Sequence, residues 1–252
     1  MTDATRSHRA LSGARVRTIA VTRLRRVMRT RIAAAAAVFA FLPWAIVETP
    51  LLVGRLSALA EFSVVGLTVL GAGAISDDLD SGEFAIAISH DVSPLEILLG
   101  NAMASMLVAL VLVAGQLPLA LRGAAAAPLS SLGLCVVALV ALLAGWLALM
   151  LLFATFLEGK ANAVAMGGVL LVPFAMRLGV VATLPARIAS IVDGALRLLP
   201  QVDQAAALFR ALLYRSPLPV LDLSVLIASP LVYFVFASLR LYRLEPAGRL
   251  TQ

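Results

Sequence analysis

Seven ionisable side chains crowd one polar stretch of an otherwise apolar chain: Asp77, Asp78, Asp80, Glu83, His90, Asp91 and Glu96, with no Lys or Arg between Ile75 and Gly100. Carboxylates this close could chelate Mg²⁺ and hold a diphosphate, the chemistry of a metal-dependent transferase. That chemistry needs a second acidic cluster to complete the site, and the sequence has none. The other readings are a solvated loop and an acidic face offered to a protein partner. Partner docking is the reading carried forward. A membrane-embedded transferase using Asp77, Asp78 and Asp80 stands as the alternative from another class. The stretch ends in a helix start: Ser93 as N-cap, Pro94 in the first helical position, and Glu96 completing an S-x-x-E capping box.

Elsewhere the chemistry is sparse. There is no G-x-x-x-x-G-K-[ST] run, so the chain has no P-loop for ATP, and no G-x-S-x-G, HExxH or CxxC. One cysteine, Cys135, excludes a disulfide within the chain. His90 in a polar loop reads as solvated rather than as a ligand. Glu48, Glu61, Arg177 and Asp222 fall within or at the ends of apolar runs. Charge at that depth is costly, which makes these four candidates for a transport pathway. Their bland alternative is snorkelling to the headgroups.

The elements that position these residues are membrane helices. The chain has 252 residues, 62% hydrophobic and only 13% charged, with a mean hydropathy of +1.01. Soluble domains carry about 25% charged residues. The net charge of +6 sits mostly at the N-terminus, which points to membrane topology and not to nucleic acid. Residues 1–14 read as a disordered tail. Residues 15–31 read as a basic amphipathic helix for the headgroup layer: Val16, Ile19, Ala20, Leu24 and Val27 recur at helical spacing among the arginines. Residues 32–252 form the membrane domain. Six apolar runs are each near the roughly 20 residues that cross a bilayer: about Ile32–Val53, Leu56–Ile75, Leu95–Leu119, Leu132–Leu157, Ala163–Leu184 and Leu218–Leu241. The fold class expected is an all-α polytopic membrane protein. No cleavable signal peptide is apparent.

Nine arginines precede Ile32, which places both termini in the cytoplasm of a multi-pass protein of the inner (cytoplasmic) membrane. The acidic loop, residues 76–94, is then cytoplasmic. Residues 185–217, before the last span, read as two short amphipathic helices interrupted at Pro200. They lie at the outer interface or dip into it as a re-entrant hairpin.

Two stretches and the layout resemble the membrane subunits (permeases) of the type-2 family of ATP-binding-cassette (ABC) transporters. The first is Asp80-Ser81-Gly82-Glu83 followed by Ser89 to Gly100. It is similar to that family's loop between the second and third spans, although Pro94 stands where a basic residue is usual and Asn101 where Lys is common. The second is Pro200 to Tyr214, ending Phe209-Arg210-Ala211-Leu212-Leu213-Tyr214, similar to the short external helix before the last span. The resemblance implies an N-terminal elbow helix, a cytoplasmic coupling helix and short external re-entrant helices on the six spans. It implies an exporter driven by a separate ATPase subunit in two copies, which binds the ATP and Mg²⁺; the chain itself is no enzyme and holds no cofactor. It implies docking through Asp80, Gly82, Glu83, Asp91, Val92, Ser93, Pro94, Leu95 and Glu96, and an external gate at Phe209, Arg210 and Tyr214. It also implies pairing with a second copy or a related permease along the first and fifth spans. Haem-exporter membrane subunits share the layout.

Overall fold

The computed structural model describes residues 11–29, 31–45, 51–71, 92–122, 127–157, 160–177, 185–197 and 199–244. Among them all regular structure is helical. In chain order the helices are α1 (Gly13–Arg29), α2 (Arg31–Phe41, continued by a 3₁₀ turn Leu42–Ala45), α3 (Leu52–Gly71), α4 (Pro94–Ala120), α5 (Leu129–Ala154), α6 (Lys160–Arg177), α7 (Ala186–Arg197), α8 (Val202–Tyr214) and α9 (Val220–Leu244).

Four of these are long and apolar enough to cross a bilayer: Leu52–Leu70, Pro94–Ala120, Leu129–Ala154 and Val220–Tyr242. Each supplies the roughly 30 Å that the hydrocarbon core demands. Of the first and fifth runs expected from the sequence, the described parts are α2 with its 3₁₀ turn and α6. α2 tightens into the 3₁₀ turn at Leu42-Pro43-Trp44-Ala45, where proline removes a backbone donor. α6 has 18 residues, with Lys160 and Arg177 at its two ends.

Small residues let the helices approach closely, as membrane bundles require. Gly66 of α3 lies against α2, where an added Cβ would sit 3.6 Å from both the Ala36 carbonyl oxygen and Ala40 Cβ. The Phe41 ring of α2 fills the space over Gly115 of α4, 2.8 Å from where a Cβ would be. Trp44 stacks edge-on against Phe62 with ring centroids 5.5 Å apart. Its indole N–H donates to Gln116 Oε1 at 3.0 Å. Residues 36 to 44 of α2 therefore meet α3 in descending order and α4 in ascending order, so α2 runs antiparallel to α3 and parallel to α4.

The pairing of α5 with α9 is parallel. Gly145 lies beside Ser229, and eleven residues further along both helices the Arg240 guanidinium sits 5.1 Å over the Phe156 ring. The core lies where α3, α4, α5 and α8 meet, around Leu59, Leu67, Leu98, Leu139, Leu142, Leu143, Met150, Leu208 and Phe209. One polar contact crosses it: Trp146 Nε1 donates to Thr68 Oγ1 at 2.7 Å. Thr68 in turn donates to the Val64 carbonyl at 2.8 Å, so every polar atom of the pair is satisfied in a medium that supplies no water.

Candidate functional site

The head of α4 is where the sequence's clearest local signal meets the longest-range contacts. Ser93 is extended and accepts from the Glu96 backbone N–H at 3.2 Å. Glu96 Oε2 accepts from the Ser93 N–H at 2.9 Å, closing the capping box in both directions. The carboxylate does more than cap. Its Oε1 accepts from the backbone N–H of Ser12 at 2.8 Å, and Arg15 Nη1 lies 3.7 Å from Oε2. Glu96 thus fastens the start of α1 to the start of α4. Its side chain is only 3% exposed, against 43% for Arg15. Bonds from an ionised acceptor to two backbone donors are the strong kind; the half-exposed ion pair adds little.

One turn further, Gly100 lets α1 settle on α4. A Cβ there would fall 2.5 Å from Ile19 Cγ2 and 3.2 Å from the Val16 carbonyl oxygen. Val16, Ala20 and Arg23 are buried in this contact. Much of the apolar face expected to meet the headgroup layer is packed on α4. The residue types are the same either way, since a hydrophobic stripe is equally suited to lipid or to a neighbouring helix.

Of the candidate docking residues, Val92 and Leu95 are half-buried, Ser93 is half-buried at the cap, and Pro94 and Glu96 are buried. Asp80, Gly82, Glu83 and Asp91 lie outside the described residues, as do Asp77, Asp78 and His90. Among the described residues no group of His, Cys, Asp or Glu could hold a metal ion.

No family model and no curated protein matches this chain.

The second polar feature is the segment before α9. α7 and α8 are the two helices expected there, divided by Leu199 and Pro200. Pro200 does not lie at the end of the bundle. Its Cβ is 3.1 Å from where a Cβ on Gly145 would be, and Gly145 is sixteen residues into α5, about 24 Å along it. The turn between α7 and α8 therefore reaches deep between α5 and α9. Non-helical backbone at such depth must be satisfied by protein. Gln204, 6% exposed, does this: its Nε2 donates to the Arg197 carbonyl at 2.8 Å, and its Oε1 accepts from the Gln201 N–H at 3.0 Å. Pro200 itself has no N–H to satisfy. α8 then packs on α3 and α5 and ends at Arg215, in the left-handed region at φ 53°.

The candidate gate residues separate on this hairpin. Phe209 is in the core at 1% exposure, whereas Tyr214 at the end of α8 is 60% exposed, and Arg210 is exposed. The pathway candidates do not converge. Glu61 is half-buried midway along α3, Asp222 is half-buried in the first turn of α9, and Arg177 is the last residue of α6; Glu48 lies outside the described residues. Sequence reading missed Ser12, Gly145 and Gln204, and gave Gly100 no packing role. Their only signal is small or polar type inside apolar surroundings, which says nothing of the partner.

Proposed function

We propose that the chain is the membrane-spanning permease subunit of an ABC exporter, driven by a separate ATPase that seats against the head of α4. The observation that carries this reading is the doubly held Glu96. A capped helix start, tied to a second helix and continuous with a 27-residue span, is a rigid lever. A push at Ser93 is delivered undamped to the bundle interior. Coupling between nucleotide state and transport state needs such a two-state element that both sites bias.

The helix directions support the same reading. α5 and α9 run parallel, so the chain between Phe156 and Val220 has to return across the bundle, and α6 is the apolar helix in that interval. α2 runs parallel to α4 with α3 antiparallel between them in sequence, which supports α2 as the first crossing. With the arginines of α1 in the cytoplasm, both termini and the head of α4 are cytoplasmic, and the α7–α8 hairpin enters from outside as a gate. The inner (cytoplasmic) membrane is the location, and two permease chains meet through α2 and α6.

Purification of the full chain from native membranes in mild detergent tests the proposal. A P-loop ATPase is expected in the eluate, with ATP turnover that Ser93→Ala lowers relative to wild type, the cap loss being about 0.5–2 kcal/mol. An eluate with no P-loop chain, or one whose activity follows added Mg²⁺ and diphosphate lipid without ATP, would overturn it in favour of the transferase alternative.

A further inference from the structure

The outward face of α1 carries Arg15, Arg17, Arg25, Arg26 and Arg29, and among its large apolar residues only Val21 and Met28 are exposed. The opposite face, Val16, Ala20 and Arg23 with Ile19 beside them, is taken up by α4. A basic amphipathic helix ordinarily holds a membrane by burying its apolar face among acyl chains. Here most of that face is already taken up. What the helix still offers the bilayer is charge.

The position of α1 says which charge it meets. α1 packs on α4 and α2 and sits outside the helices that form the core, so its arginine face looks away from the bundle. Its axis turns by 74° into the stretch Ala34–Ala45 of α2 and its 3₁₀ turn. Guanidinium groups are suited to phosphate oxygens because the planar fork pairs with them bidentately. We infer that this arginine face is a docking surface for the phosphates of anionic phospholipids in the surrounding leaflet, and that it reports their presence to the head of α4. The link is the Ser12 N–H and Arg15 contact with Glu96. Lipid that orders α1 also orders the capping box, and by reciprocity an ordered cap favours lipid binding.

This inference rests on the membrane reading but not on the ATPase, and its test needs no ATPase. The full chain is placed in nanodiscs of phosphatidylcholine alone and of phosphatidylcholine with rising phosphatidylglycerol, and backbone hydrogen exchange is followed. Slower exchange is expected in the anionic discs at Val16–Arg29 and at Ile97–Asn101, by about fivefold for each engaged arginine. Raising salt to about 1 M, where the screening length is about 3 Å, abolishes the difference. Arg17→Gln, Arg25→Gln and Arg29→Gln together abolish it at low salt, and the same three positions changed to Lys retain most of it. Exchange that is the same in neutral and anionic discs overturns the inference. So does a difference that survives high salt or the triple glutamine variant, or one that stops at Arg29 without reaching Ile97–Asn101. Should the glutamine variant misfold, the salt and lysine arms still decide. A surface built for an acidic protein would give the first of these negative results.

Discussion

Gly145 and Ser229 show how little room separates α5 from α9. A methyl group on Gly145 would stand 2.6 Å from Ser229 Oγ and 3.1 Å from Pro200 Cβ. Neither neighbour is the free end of a flexible chain. Gly145→Ala therefore costs about 1–3 kcal/mol as overpacking, read as a lower unfolding midpoint in detergent. Ser229 Oγ has no hydrogen-bond partner among the described residues, so removing it forfeits packing but no bond. Gly145→Ala with Ser229→Gly is expected to recover a large part of the loss, whereas additive losses would mean that the two residues do not share the contact. Glu96 is the contrasting case. Half of its role is written in four consecutive residues, Ser93-Pro94-Leu95-Glu96, because a capping box is local chemistry. Its other half, the bond to the Ser12 N–H, joins positions 84 apart. No local pattern announces a backbone donor at that separation.

Among elements, the hairpin of α7 and α8 was the most legible. Pro200 lacks the N–H a helix interior uses, and the apolar period restarts at Val202, where α8 begins. Its depth was not legible, because an amphipathic segment reads the same at an interface as in a re-entrant position. Depth is decided by Gly145, whose missing side chain admits Pro200, and by Gln204, which satisfies the turn. Gln204→Leu removes the bonds that the Gln204 side chain makes to the Arg197 carbonyl and the Gln201 N–H in a buried place. A loss of about 1–3 kcal/mol follows, together with faster hydrogen exchange confined to residues 199–210. Unchanged exchange there would mean that the turn is satisfied by other groups. α2 and α6 were legible as apolar runs but not as lengths. The 3₁₀ turn at Pro43 interrupts the first run, and the described part of the fifth is Lys160–Arg177.

At the scale of the whole molecule, helix direction carries the account. On the proposed six-span reading, parallel α5 and α9, and parallel α2 and α4, fit an even number of passes with the head of α4 on the same side as α1. The acidic residues from Asp77 to Asp91 precede that head in sequence and lie outside the described residues. The sequence put both on the arginine side through the positive-inside rule alone; the helix directions rest on packing contacts and are independent of charge. The most direct test is sided thiol labelling in sealed, right-side-out vesicles with Cys135 replaced by Ser. Thiols are introduced one at a time at Thr18, at Leu95 and at Tyr214, and a membrane-impermeant maleimide is added outside. The account predicts that Tyr214→Cys labels at once, while Thr18→Cys and Leu95→Cys label only after the vesicles are opened. Labelling of Leu95→Cys in intact vesicles, or of Tyr214→Cys only in opened ones, would place the head of α4 beyond the reach of any cytoplasmic ATPase and contradict it.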